Sequence, residues 1–316
     1  MPYAAVAVAY GGPEHIELID IPSRAPGAGE VRIEVRASGV NPVDAKIMSG
    51  ARGDDPAVLP LRLGFELAGV VAEVGPAAEG QPVLGADGAP LRVGDEVLAF
   101  RVPGAHASEV TVPAGDVLHK PASASFESAA GLLLAGATAA HALHVIELLG
   151  DETVLVHGAA GSVGRATVQL ARRMGARVIG TAAARHHEAL RALGAEPLVY
   201  GAGLAERVRA LGGSVDAAVD TVGTAEALAV SLELVDDPHR IVTIANGPAV
   251  EAAGGQAIGG AMGTAYRDGI RAELVRLLGA GELEIPVVRT FPLREIRAAF
   301  EFVLDGHAGG KVVLIP

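Results

Sequence analysis

A glycine-rich turn, Gly158-Ala159-Ala160-Gly161-Ser162-Val163-Gly164, carries the clearest chemistry in the sequence. So few side chains let backbone N–H groups approach a pyrophosphate, and a following helix aims the positive end of its dipole at the same anion. The pattern Ala159-x-Gly161-x-x-Gly164 matches the G-x-G-x-x-G dinucleotide fingerprint, with alanine at its first position. The context fits. Asp151-Glu152-Thr153-Val154-Leu155-Val156 reads as a strand, and Val163, Ala166, Thr167, Leu170, Ala171 and Met174 recur behind the turn at helical spacing. A turn that serves only tight strand–helix packing is the other reading of the same glycines.

The end of the second strand of such a unit selects the cofactor: an acid there takes a ribose 2′-hydroxyl, an arginine a 2′-phosphate. Here the strand runs into Gly180-Thr181-Ala182-Ala183-Ala184-Arg185, with no acid before Glu188, so the sequence favours a dinucleotide that carries a 2′-phosphate. Arg185 is the candidate phosphate partner; a solvated residue in a first helical turn is the alternative.

The elements around these residues read in two styles. Over the first 120 residues strands and turns dominate: residues 31–37 alternate strictly, and 66–74, 96–100 and 108–112 are further strand candidates between Gly-Pro and Gly-Asp turns. Residues 75–94 read as a Gly/Pro/Ala-rich loop, and 113–121 as the passage between domains. From Ser125 onward helices alternate with short apolar strands, the pattern of a parallel sheet covered on both faces with ligand at its carboxyl ends. Residues 254–269 read as a mobile glycine-rich loop, and 310–315 as a strand that returns to the first domain.

Composition narrows the function. The chain has 316 residues, half of them hydrophobic, enough for two domains. A net charge of -12 with no basic run speaks against nucleic acid or an anionic membrane as partner. The absence of cysteine excludes disulfides, thiolate chemistry and any zinc site that needs a cysteine ligand. Met1-Pro2-Tyr3-Ala4-Ala5-Val6 lacks the pattern of a signal peptide, so a cytoplasmic location is expected. The Ala/Leu-rich stretch 129–150 contains His141, His144 and Glu147 and reads as a buried helix rather than a membrane span.

Taken together, several short motifs carry a resemblance over the whole chain: Gly39-Val40-Asn41-Pro42-Val43-Asp44, Gly64-Phe65-Glu66-Leu67-Ala68-Gly69-Val70-Val71, Val93-Gly94-Asp95-Glu96-Val97, the glycine turn, Asp220-Thr221-Val222-Gly223 and Gly309-Gly310-Lys311-Val312-Val313-Leu314. The sequence resembles the medium-chain dehydrogenase/reductase superfamily, within it the zinc-independent quinone oxidoreductase-like reductases. The resemblance implies an α/β protein with a GroES-like, β-rich catalytic domain (1–122 and 283–316) and an inserted Rossmann domain, a doubly wound parallel sheet binding NADPH (123–282). It implies metal-free hydride transfer to a quinone or an α,β-unsaturated carbonyl, with an enoyl-thioester reductase or a non-catalytic NADPH-binding module as the alternatives. A homodimer is expected. Zinc-dependent members carry a histidine where Phe65 stands here.

The resemblance also distributes roles. Asn41 is the expected hydrogen-bond donor to the substrate carbonyl, with a structural turn residue as its other reading. Ala159, Gly161, Ser162, Val163 and Gly164 form the cofactor turn, Thr181 and Tyr200 assist Arg185, and Thr138, Val222, Ile244 and Ala245 lie toward the nicotinamide; Lys311 joins the cofactor residues. Lys46 and Arg52 stand at positions commonly tyrosine in quinone oxidoreductases, and Met48 at one commonly arginine. Lys46 and Arg52 are therefore candidates for a polar or anionic substrate, or else plain exposed charges. No metal ligand set and no proton donor is evident; solvent is expected to supply the proton.

Overall fold

Alternation predicts a strand at 31–37, and the computed structural model, which describes residues 1–77, 81–306 and 308–316, extends it to Glu30–Val40. In chain order the early strands are β1 (Tyr3–Ala7), β2 (Ile16–Asp20), β3 (Glu30–Val40), β4 (Leu61–Arg62), β5 (Glu66–Val74), β6 (Glu96–Phe100), β7 (Glu109–Pro113) and β8 (Val117–His119). The parallel set follows: β9 (Thr153–His157), β10 (Arg177–Thr181), β11 (Glu196–Leu198), β12 (Ala217–Asp220), β13 (Ile241–Thr243) and β14 (Gln256–Ala257). The chain closes with β15 (Val287–Pro292) and β16 (Lys311–Ile315). Two compact units result, residues 1–134 with 272–316 and residues 135–271.

In the first unit, seven strands form one sheet in the order β15-β16-β3-β5-β6-β8, with β7 on β3, and β2-β1-β4 form a second sheet. The closing strand β16 pairs antiparallel with β3, Val313 opposite Gly39, as its apolar run and the return to the first domain predict. Apolar side chains gather in two clusters, one around Ile33, Val71 and Val97, the other around Met48, Phe300 and Leu314. Residues 113–121, expected as an inter-domain passage, instead contribute β8, which pairs with β6 from Ala99↔Val117 to Val97↔His119. Three residues are too few for a periodicity to register. β1 escaped notice for another reason: its residues 4–7 are all buried, so no polar residue marks the alternation. Of the expected loop 75–94, residues 78–80 lie outside the described residues; the rest carries a single bridge, Leu84 to Pro90.

In the second unit, six parallel strands run in the order β11-β10-β9-β12-β13-β14. The chain winds outward from β9 to β11 and then crosses to β12, so the switch point lies where His157 pairs with Asp220. Ligands of doubly wound sheets bind outside the carboxyl ends at that point. Alternate residues serve the two faces: Val154, Val156 and Val178 pack on one, Leu155, Ile179 and Ala218 on the other. The expected glycine-rich loop at 254–269 contains β14 and the helix Thr264–Gly269. Buried Arg267 donates to the carbonyls of Gly260 and Met262, and the Tyr266 ring stacks on His144 at 4.1 Å. A guanidinium satisfying loop carbonyls from inside supplies the anchor that the glycine content concealed. Residues 129–150 break into separate helices ending at Ala130 and starting at Leu133, and among the described residues no helix is long and apolar enough to cross a membrane.

Candidate cofactor and active site

The turn after β9 is built from three glycines with different tasks. Gly158 has φ +73, the left-handed conformation that lets the chain reverse out of the strand. Gly161 caps the helix Ser162–Met174 in extended conformation, without a side-chain cap, and a Cβ there would meet nothing nearer than 3.5 Å. At Gly164 a Cβ would lie 2.3 Å from the Gly158 carbonyl oxygen and 2.7 Å from the Ala159 Cα, so the helix seats directly on the turn. The Arg165 N–H, donating to the Gly161 carbonyl at 2.8 Å, opens the helical ladder. The amides of Ser162, Val163 and Gly164 therefore precede it and have no acceptor within the helix. A diphosphate fits this side-chain-poor cradle at a helix N-terminus.

Ala159 and Thr181 lie inside the turn's own hydrogen bonding. Ala159 is fully buried, and its N–H donates to the Thr181 carbonyl at 3.0 Å. Thr181 is buried as well, and its Oγ1 accepts from the Gly158 N–H at 3.3 Å. Both take part in holding the turn. Arg185 is exposed, and its side chain makes no hydrogen bond or ion pair among the described residues. Beside it, burial pushes the His186 imidazole below its ordinary pKa, and Arg185, Arg165 and His187 push in the same direction. The end of β10 is thus a basic corner.

Tyr200 and Val222, about half exposed at 52% and 48%, follow β11 and β12, and half-buried Ile244 and Ala245 follow β13, so these candidates share one edge of the sheet. Two of the loops are joined by Asp220. Its carboxylate accepts from the N–H groups of Val222 and Gly223 at 2.9 Å and from Thr243 Oγ1 at 2.8 Å. Thr243 Oγ1 in turn accepts from the amides of Ala245 and Asn246. Asp220 is the turn acceptor its strand-end position suggests. Beneath it, burial pushes His157 down to about 4, against the opposing pull of Asp220 and Glu226. Ser231 Oγ donates to the Ala227 carbonyl at 2.8 Å, so it accepts from His157 Nε2 at 3.1 Å and fixes the neutral tautomer. Thr138 sits half-buried on the helix Leu133–Val145.

In the first unit, a closed polar network surrounds Asn41, the N-cap of the helix Pro42–Met48. Its Nδ2 donates to Glu66 Oε1 at 3.0 Å and to the Gly39 carbonyl at 3.1 Å, and its Oδ1 accepts from Lys311 Nζ at 2.5 Å. Lys311 also donates to Glu66 Oε1, whose partner oxygen Oε2 accepts from the Leu134 N–H at 2.9 Å. All three side chains are buried. Both amide hydrogens of Asn41 are thus engaged, and Lys311 is paired inside the first unit. Sequence reasoning does not find Glu66 as a member of this network; its signal is a carboxylate directly ahead of the apolar run Leu67–Val71, the kind of charge that is buried only when paired. On the next turn, Asp44 accepts from the Asn41 N–H at 2.7 Å and lies 3.7 Å from His106, whose Nδ1 shares a hydrogen bond of 2.9 Å with Ser38. Lys46 and Arg52 are exposed, and neither side chain has an ion-pair partner among the described residues.

Comparison with known proteins agrees with this architecture. Residues 27–122 match a family described as alcohol dehydrogenase GroES-like domain, and residues 193–314 one described as zinc-binding dehydrogenase. The quinone oxidoreductase of Salmonella typhimurium is 30% identical over 97% of this chain and 97% of its own. The spectinabilin polyketide synthase system protein NorB of Streptomyces orinoci is 34% identical over 90% of this chain, which spans 13% of NorB's length. Among solved structures, the Escherichia coli quinone oxidoreductase complexed with NADPH superposes with a TM-score of 0.85 at 27% identity, covering 99% of this chain and 100% of that one. The CurK enoyl reductase superposes with 0.84 at 28% identity, over 99% of both chains.

Proposed function

The chain belongs to the zinc-independent, quinone oxidoreductase-like branch of the medium-chain dehydrogenases/reductases, and from that premise we propose that it is an NADPH-dependent reductase of quinones or α,β-unsaturated carbonyls. One observation carries the cofactor reading: the glycine cradle after β9 lies on the same sheet edge as the acid-free corner of Arg185 and His186. Helix amides take the diphosphate and Arg185 the 2′-phosphate, a charge-assisted contact that an NADH site would lack. NADPH supplies a hydride when bound. Thr138, Val222, Ile244 and Ala245 border the nicotinamide in this reading.

Phe65 between Gly64 and Glu66, in a chain without cysteine, removes the ligands of the zinc-dependent branch, so hydrogen bonds polarise the substrate. With its amide hydrogens engaged by Glu66 and Gly39, Asn41 serves that task by holding the segment 39–44 in place. Lys46 and Arg52 are available to a polar or anionic substrate. A homodimer, with the β14 edges of two copies joined, accompanies the family reading.

The test is a fluorescence titration of wild type and Arg185→Ala with NADPH and NADH. The reading expects a preference for NADPH that the variant loses by more than about 1 kcal/mol; if neither cofactor binds, it fails. A second reading, an enoyl-thioester reductase, draws on the likeness to CurK and NorB and on the exposed Lys46 and Arg52. Turnover of an acyl thioester but not of the corresponding free enone favours it; the reverse removes it.

A further inference from the structure

The first glycine of the dinucleotide fingerprint is alanine in this chain, and its methyl group has to go somewhere. Gly158, one residue earlier, carries the left-handed φ of +73, so the backbone at 159 tolerates a side chain and only space is at stake. That space comes from the neighbouring strand. A Cβ on Gly180, inside β10, would lie 2.8 Å from the Ala159 Cβ, closer than two carbon atoms approach. Glycine within a strand marks such a close approach of another segment.

The next residue completes the arrangement. Thr181 accepts the Ala159 N–H on its carbonyl at 3.0 Å and the Gly158 N–H on its hydroxyl at 3.3 Å. On the far side Thr221 Oγ1, just after β12, donates to the His157 carbonyl at 2.7 Å and lies 3.3 Å from the Gly158 carbonyl, tying the turn to the next strand. Gly164, and with it the first helical turn, rests on Gly158 and Ala159. Displacement at β10 therefore passes through Ala159 to the amides of Ser162, Val163 and Gly164.

We propose that Gly180 and Thr181 are positioning residues that set the cofactor turn: Gly180 admits the Ala159 methyl, and Thr181 anchors the turn so that the helix amides meet a diphosphate. The proposal rests on the NADPH reading above and goes beyond it, because it places Thr181 behind the turn rather than on the ligand. A buried hydroxyl committed to the Gly158 amide is not presented to a ribose phosphate.

The test uses two probes, NADPH and adenosine 2′-monophosphate, which keeps the 2′-phosphate and lacks the diphosphate. In Gly180→Ala, NADPH affinity falls by about tenfold or more, as for a misplacement of a binding group, while adenosine 2′-monophosphate binds as to wild type. In Ala159→Gly/Gly180→Ala, which moves the methyl from turn to strand, NADPH affinity returns. In Thr181→Val, NADPH weakens alone, and Thr181→Ser restores it. The proposal is overturned if Gly180→Ala binds NADPH normally, if the double variant gives no recovery, or if Thr181→Val weakens both probes equally, which would put Thr181 on the 2′-phosphate. Should Gly180→Ala not fold, the Thr181 pair decides by itself. Failure of wild type to bind NADPH overturns the cofactor reading and this proposal with it, and shows before any variant is made.

Discussion

The ammonium of Lys311 donates to Oδ1 of Asn41 at 2.5 Å, and because lysine can only donate, this contact fixes which way the Asn41 amide faces. Both N–H bonds then point inward to Glu66 and Gly39. Asn41→Ala is expected to destabilise the protein by about 1–3 kcal/mol, since it strands buried donors and acceptors. A lowered midpoint of thermal unfolding checks this; unchanged stability with lost turnover would instead return Asn41 to direct contact with substrate.

Removing Lys311 alone leaves the Glu66 carboxylate buried without its cation. Lys311→Met is expected to lose about 3–5 kcal/mol, and Lys311→Met/Glu66→Gln to recover part of it, because the stranded charge rather than the lost attraction dominates. Urea unfolding of wild type, single and double variants measures the difference. Equal stability of both variants would mean that Glu66 finds another partner.

His157 makes the fold sensitive to acid. Its pKa is about 4 in the fold against 6.5 ordinarily, so between those values the unfolded chain holds a proton that the folded one refuses. Stability is then constant above the ordinary value and falls as the pH drops through the window, by up to about 3 kcal/mol. Subtracting the unfolding profile of His157→Gln isolates this slope from the other histidines. Parallel profiles would assign the acid sensitivity elsewhere.

His186 shares its corner with the cations of Arg185 and Arg165, and a bound phosphate would reverse the sign of that environment. The ratio of NADPH to NADH affinity is expected to rise as the pH is lowered through the histidine range, and to rise less in His186→Gln. Titrations at a series of pH values decide it. A ratio independent of pH would leave the phosphate to Arg185.

The fold was legible where one physical signal dominated. Alternation located β3, and the strand–glycine–helix succession located the nucleotide turn because backbone freedom, anion binding and helical spacing coincide there. β1 and β8 were not legible: one is buried along nearly its whole length, the other is three residues long. At the candidate site, the basic corner around exposed Arg185 could be read from sequence, since it is made by neighbours along the chain. Asn41, Lys311 and Glu66 could not, because their partners arrive from distant segments, and the engaged amide of Asn41 depends on a lysine 270 residues away. Gly180 carried a readable hint, a glycine inside a strand, but only the packing shows which side chain it makes room for.

The pairing of β16 with β3 also dictates an order of assembly. Strand β3 precedes the parallel sheet in the chain and its partner β16 follows it, whereas the parallel sheet lies in one uninterrupted stretch, residues 135–271. Such non-local pairing closes slowly, and domains fold as units during synthesis. The parallel-sheet unit can therefore mature on the nascent chain while the sheet of the first unit still waits for β16.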